Sequence, residues 1–202
     1  MTDVTIMFRN GEISVKEAAS KRYVLAPSPQ DPPGTPVLYA FERDTEELRE
    51  WAAERGVAEL LAAALDAVQA ASPGSADREA LVARAKAASE PVRQLADQLG
   101  AGGSAPDVEQ LMSEGQRRGL IETVTLFSGA YYQAPLTLLP GSIPDISWLG
   151  SPQVWSAYST REMAFVYDQP GYGPNRTSPR GIVWPSSGVP YFPFTVRSVY
   201  VY

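Results

Sequence analysis

At 202 residues with 44% hydrophobic content, the chain can hold one large or two small domains around a substantial core, and it has neither cysteine nor histidine. That absence excludes disulfides, thiolate nucleophiles, cysteine- or histidine-bound metals and imidazole acid–base catalysis, so enzyme chemistry would need carboxylates, lysine, tyrosine or an oxygen-ligated metal. The formal charge of −6 lies wholly in residues 1–120, since Glu122, Asp145, Glu162 and Asp168 balance Arg161, Arg176, Arg180 and Arg197 beyond them. Neither half has the basic excess that phosphate neutralisation requires, so no nucleic-acid partner is expected.

In chain order, residues 4–15 alternate apolar and polar. Val4, Ile6 and Phe8 share one face, Asn10-Gly11 forms the turn, and Ile13 and Val15 return, which predicts a hairpin. A short strand follows at Tyr23 to Ala26. The proline-rich stretch from Pro27 to Pro36 reads as a loop, and Val37 to Phe41 resumes as a strand. Asp44 with Glu47 forms a capping-box-like pair that opens a helix running to about Arg55, where Gly56 ends it. A second helix spans Val57 to about Ala71 with Leu60, Leu61, Leu65 and Val68 as its apolar stripe.

Ser75 caps a third helix that bends or restarts near Ser89-Glu90-Pro91 and stops at Gly100; Ser104 caps a last one reaching about Arg118. Residues 44–119 thus read as a helical hairpin or small bundle, with a flexible linker near 100–104. The apolar run around Val57 to Ala71 is too short to cross a bilayer, and no basic-then-apolar leader opens the chain, so the expectation is no membrane and a cytoplasmic location. The Ala/Gly/Pro-rich composition fits a GC-rich bacterial source.

The last 82 residues hold 15 of the 20 aromatic side chains, and their spacing repeats. Phe127, Tyr132, Thr137 and Gly141 recur forty residues later as Tyr167, Tyr172, Thr177 and Gly181, the mark of a duplicated β-unit. Short strands with regular Pro/Gly punctuation predict a sandwich of paired Greek keys. The fold expectation is therefore α+β: an N-terminal β-hairpin and helical region over 1–120, then an all-β double Greek-key sandwich over 121–202.

Four segments, Val-Thr-Leu-Phe-Ser-Gly-Ala-Tyr-Tyr at 124–132, Leu-Pro-Gly-Ser-Ile-Pro-Asp-Ile-Ser-Trp-Leu-Gly at 139–150, Val-Tyr-Asp-Gln-Pro-Gly-Tyr-Gly at 166–173 and Val-Arg-Ser-Val-Tyr-Val at 196–201, resemble the βγ-crystallin family. The resemblance implies that each Greek key opens with an aromatic corner and closes near a serine, here Ser156 and Ser198. It places the family's hairpin glycine at Ala134 and Pro174, with Gly173 as a substitute after a one-residue slip. The stretches matching the family's calcium loops, 151–156 and 193–198, contain no carboxylate, and Arg197 stands where a ligand hydroxyl would sit. No calcium at those loops and no cofactor are expected, because calcium takes six to eight oxygens, usually some of them charged.

For catalysis the densest acidic groups are Asp44 with Glu46 and Glu47, explained by helix capping, and the pair Asp145 and Asp168, whose turn contexts suit aspartates that bond nearby amides. The expectation is a non-enzymatic structural or protein-interaction role, with a protein partner or self-assembly. The apolar stretch Tyr191-Phe192-Pro193-Phe194, which has no counterpart at the repeat offset, supplies the candidate binding residues Tyr191, Phe192 and Phe194. The resemblance keeps two alternatives open: a calcium-stabilised stress protein, and a secreted inhibitor or toxin.

Overall fold

The computed structural model describes residues 4–32, 35–43, 46–74, 77–100, 110, 113–114, 117 and 124–202. The caps expected at Asp44, Ser75 and Ser104, all but the first residue of the linker near 100–104 and most of the helix expected after it lie outside the described residues.

Strands β1 (Thr5–Phe8) and β2 (Gly11–Ile13) form the N-terminal hairpin, in the register Ile6 opposite Ile13 and Phe8 opposite Gly11. The turn is therefore Arg9-Asn10, one residue earlier than the Asn10-Gly11 expected from sequence, and Arg9 takes the positive φ of 54°. The strand ends at Ile13 because Ser14 caps helix α1 (Val15–Lys21), its hydroxyl accepting from the Glu17 N–H at 3.1 Å. That short helix went unanticipated, although Ser14 and Glu17 carry capping-box spacing. Strands β3 (Val24–Ala26) and β4 (Val37–Phe41) follow where the sequence puts them.

Helices α2 (Glu46–Glu54), α3 (Ala58–Ala70) and α4 (Arg78–Gly100) make up the middle of the chain. Helices α2 and α3 pack against each other, in line with the hairpin alternative, while α4 packs elsewhere, so the three do not form a bundle. Helix α4 runs through Pro91 as one helix rather than restarting there, and it ends at Gly100 as expected.

The C-terminal strands are β5 (Val124–Phe127), β6 (Pro135–Leu139), β7 (Ser156–Ser159), β8 (Ala164–Tyr167), β9 (Gly181–Val183), β10 (Ser187–Val189) and β11 (Ser198–Val201). One sheet is four-stranded, in the order β10-β7-β5-β6; the other is seven-stranded, β11-β8-β9-β3-β4-β1-β2. The strands expected to form a separate N-terminal unit thus continue the C-terminal sheet, joined by a parallel pairing of Leu25 with Gly181. Between the sheets lies a core that mixes both parts of the chain: Ile6, Leu25 and Leu38 with Val124, Leu126, Val166, Val183 and Val199.

The helices cover the outer faces of these two sheets. On the seven-stranded side Trp51, Leu61 and Val68 from α2 and α3 pack with Phe165, Ile182 and Trp184. On the four-stranded side Val92, Leu95 and Ala96 from α4 pack with Phe127, Tyr132, Leu138 and Tyr158. Alanine-rich helices bury little area against one another, whereas a sheet face studded with rings offers 150–250 Å² per aromatic, so each helix gains more on a sheet than in a bundle. The result is four layers, helix–sheet–sheet–helix.

Candidate binding surface

The repeat is visible in the hydrogen bonds of two serine hydroxyls. In the first key the Ser156 hydroxyl accepts from the Tyr132 N–H (3.1 Å) and donates to the Gly129 carbonyl (2.7 Å); in the second, Ser198 accepts from Tyr172 (3.1 Å) and donates to Gln169 (2.6 Å). Each serine clamps the hairpin that follows the first strand of its key. Rings reproduce the pattern too, with Tyr132 edge-on to Tyr158 at 6.0 Å and Tyr172 edge-on to Tyr200 at 5.6 Å.

The forty-residue offset holds at Phe127/Tyr167 and Tyr132/Tyr172 but not at the other two pairs. Thr137 and Gly141 lie in and just after β6, whereas Thr177 precedes β9 and Gly181 begins it. The longer turn between β8 and β9 moves everything after it. In the clamped hairpins Tyr131, Tyr132 and Ala134 take φ of 54°, 60° and 49°, and Gly171, Tyr172 and Gly173 take 64°, 64° and 68°. Ala134 thus occupies a left-handed conformation without glycine's freedom, a cost of roughly 1–2 kcal/mol. Ala134→Gly is expected to stabilise the fold by about 1 kcal/mol, less a little for the freer unfolded chain, read as a rise in the denaturant midpoint at constant m.

Backbone hydrogen bonds show which positions correspond around the candidate residues. Trp155 N–H donates to Phe127 O as Arg197 N–H donates to Tyr167 O; Phe192 N–H donates to Trp155 O as Ile146 N–H donates to Arg197 O; Tyr131 N–H donates to Pro190 O as Gly171 N–H donates to Pro144 O. Hence Trp155 corresponds to Arg197, Tyr191 to Asp145, Phe192 to Ile146 and Phe194 to Trp148.

Of the three candidate binding residues, the structure keeps two at the surface. Phe192 is fully buried, like its counterpart Ile146, and its ring would lie 3.0 Å from a Cβ added at Gly181. It is a core residue and offers no contact surface. Tyr191 is partly exposed and stacks on Trp155 with centroids 5.5 Å apart and planes 15° from parallel. Phe194 is half-buried against Phe192 (5.5 Å), and the Arg180 guanidinium lies 4.8 Å from its ring centre. Trp155, Tyr191, Pro193 and Phe194 line a cleft of about 180 Å³ with Gln153 and Thr195. Trp155 was missed in sequence because it lies 36 positions from Tyr191; its place directly before Ser156, hence facing away from that buried hydroxyl, was the available signal.

Beneath this surface is a charge cluster. Arg180 is 1% exposed and donates to the last carbonyls of α1, Ala18 at 3.5 Å and Ala19 at 3.4 Å. Its Nη1 lies 3.8 Å from Asp168 Oδ2, which also accepts from Arg22 at 2.8 and 3.2 Å. Burial draws the Arg180 pKa down to about 10 while Asp168 opposes that fall, so the guanidinium stays charged at neutral pH. Asp145 accepts from the Ser147 N–H at 2.8 Å and so caps the 3-10 turn Ile146–Leu149. Both aspartates therefore have structural partners, and among the described residues no three carboxylates gather as a metal site.

Burial pushes the hydroxyls of Tyr167 and Tyr200 up and that of Tyr172 up to about 12, against an ordinary value near 10. A phenol with a raised folded pKa contributes fully below its unfolded pKa and ceases to contribute as pH climbs through the folded one. Stability is therefore expected to fall between pH 10 and 12. In an ultraviolet phenolate titration these tyrosines should ionise together with unfolding, while exposed ones titrate first.

A second concavity, about 490 Å³, runs between α4 and β6, with Lys86, Glu90 and Arg93 at its walls and Leu136 and Trp148 at its base. Among the described residues no helix is long and apolar enough to cross a membrane.

No protein-family model matches the chain, and no curated protein matches it. A solved structure from work on the evolution of the eye lens beta-gamma-crystallin domain fold is similar at 16% identity, over 41% of this chain and 86% of its own length, with a TM-score of 0.34.

Proposed function

We propose that this chain is a non-enzymatic interaction protein, that its two serine-clamped Greek keys form a βγ-crystallin-like unit, and that the Trp155–Tyr191 surface is where it binds a protein partner. One observation carries the reading. At corresponding positions the second key has Arg197 and Asp145, so the fold itself does not require aromatic rings there, yet the first key holds a stacked, partly exposed pair. Partly exposed Trp and Tyr in a well-packed setting are the residue types that concentrate binding energy. The groove beside α4 is walled by charges of both signs and lacks such a pair.

The test uses a photo-crosslinking residue at Tyr191, and another at the corresponding Asp145, in full-length protein added to native-host extract. A discrete adduct from position 191 and none from 145, lost on Trp155→Arg, is the expected result. Arginine is chosen because Arg197 occupies the corresponding backbone position. Equal labelling from both positions, or an adduct that survives Trp155→Arg, would refute the assignment of this surface.

A further inference from the structure

One edge of the four-stranded sheet is closed by side chains rather than by a neighbouring strand. Strand β6 is the last in the order β10-β7-β5-β6, and in an antiparallel strand every second residue turns its N–H and C=O away from the paired neighbour. The bonds made on that side identify these residues as Leu136, Leu138 and Pro140. Arg93 Nη2 donates to the Leu136 carbonyl (2.8 Å), the Leu138 N–H donates to the Ser89 hydroxyl (3.2 Å), and Arg84 Nη2 donates to the Pro140 carbonyl (3.3 Å). The Leu138 carbonyl accepts from the Thr137 hydroxyl (3.2 Å), which also lies 2.9 Å from that of Ser89.

The spacing of these contacts follows from the two geometries. Positions 84, 89 and 93 advance along α4 as 140, 138 and 136 recede along the strand. Four or five helical residues rise about 6–7.5 Å, and two strand residues about 6.8 Å. Helix α4 thus stands in for a fifth strand. We propose that α4 is a removable cover over the β6 edge, and that the uncovered edge pairs with β6 of a second copy of this chain. The Trp155–Tyr191 surface takes no part in this pairing.

Two features of α4 favour removal. Its buried side chains are Leu81, Ala85, Ser89, Val92, Leu95 and Ala96, half of them too small to bury much area. Pro91 lies between Ser89 and Arg93 and has no N–H to give to the Ala87 carbonyl, so the helix is weakened between two of its contacts to the strand.

The composition of the edge selects the occupant. Pro135–Leu139 carries no charge, so two copies of β6 meet without like-charge repulsion; the charged groups that guard this edge sit on α4 instead. Pro140 has no N–H, which leaves the uncovered edge with the Leu136 and Leu138 donors and the carbonyls of all three residues. An antiparallel pair about a two-fold axis at Leu138 sets Leu138 against Leu138 and Leu136 against Pro140. All four N–H groups of the dimer then find a carbonyl.

The experiment follows the full-length chain and Arg84→Ala/Ser89→Ala/Arg93→Ala by sedimentation velocity over a concentration series, then repeats both with Leu138→Cys, the chain having no cysteine of its own. A monomer is expected for the native chain and a dimer for the triple variant, with the association constant raised at least about a hundredfold. Leu138→Cys should form an intermolecular disulfide only in the triple variant, because hydrogen-bonded opposite residues have Cα atoms about 5.5 Å apart, within disulfide reach. Lys16→Cys, exposed on α1, should crosslink in neither background. If the triple variant loses its near-ultraviolet dichroism, Arg84→Ala/Arg93→Ala, which alters exposed side chains alone, replaces it with an expected rise of about tenfold. A folded variant that stays monomeric, equal disulfide formation with and without the α4 contacts, or crosslinking through Lys16→Cys as readily as through Leu138→Cys would overturn the proposal.

Discussion

Residues 121–202 expressed alone should not fold to a stable monomer, despite containing both Greek keys. Strand β9 pairs with β3 on the edge that this fragment would leave bare, and Trp184 donates from its indole to the Pro27 carbonyl at 2.9 Å. Cutting the chain also strips α2 and α3 from Phe165, Ile182 and Trp184, and α4 from Phe127, Leu138 and Tyr158. Each large side chain returned to water forfeits about 1.5–3 kcal/mol, against a typical total stability of 5–15 kcal/mol. The fragment should show weak near-ultraviolet dichroism, bind a hydrophobic dye and aggregate through its exposed edge, whereas the full chain melts cooperatively. A cooperative melt of the fragment close to that of the intact protein would mean that the keys are self-sufficient and the N-terminal strands an accessory.

The second large effect is expected at Asp168. It is the carboxylate between Arg180 and Arg22, and Arg180 also has a buried Nε with no hydrogen-bond partner. Asp168→Ala leaves the Arg180 guanidinium buried without its counter-charge, a change that costs about 3–5 kcal/mol. Arg180→Leu removes the buried charge together with its desolvation cost. It gives up the contacts to Ala18 and Ala19, and it frees Asp168, itself part-exposed and still held by Arg22, so its cost should be clearly smaller. The double variant should recover most of the loss from Asp168→Ala. Paired denaturant titrations of the three proteins decide this, and equal losses from both single variants would show that the ion pair is not the source of the energy.

How much of this was legible in the sequence depended on the range of the interaction. Strands β3 and β4 and helices α2 and α3 follow from local pattern, because alternation, proline placement and apolar stripes act over a few residues. The serines at 156 and 198 were legible through the family resemblance, each clamping a hairpin more than twenty residues upstream. What escaped were the arrangements set by distant partners. The pairing of Leu25 with Gly181, the division of helices between two sheet faces, and the Trp155–Tyr191 stack each join positions that no local window contains. Phe192 shows the opposite error: proline and rings around it suggested a surface patch, but period-two alternation turns Tyr191 outward and Phe192 into the core.

The parallel join between β3 and β9 has a temporal consequence. The Pro27 carbonyl waits for an indole 157 residues further along, so during synthesis at about 5–20 residues per second the N-terminal strands emerge roughly eight to thirty seconds before the segment that completes their sheet. For that interval β3 presents an open edge and the apolar residues Val24, Leu25 and Ala26 have no final home. Such a high-order topology favours slow folding and makes the nascent chain a natural client of chaperones, with the risk of aggregation concentrated before residue 181 leaves the ribosome.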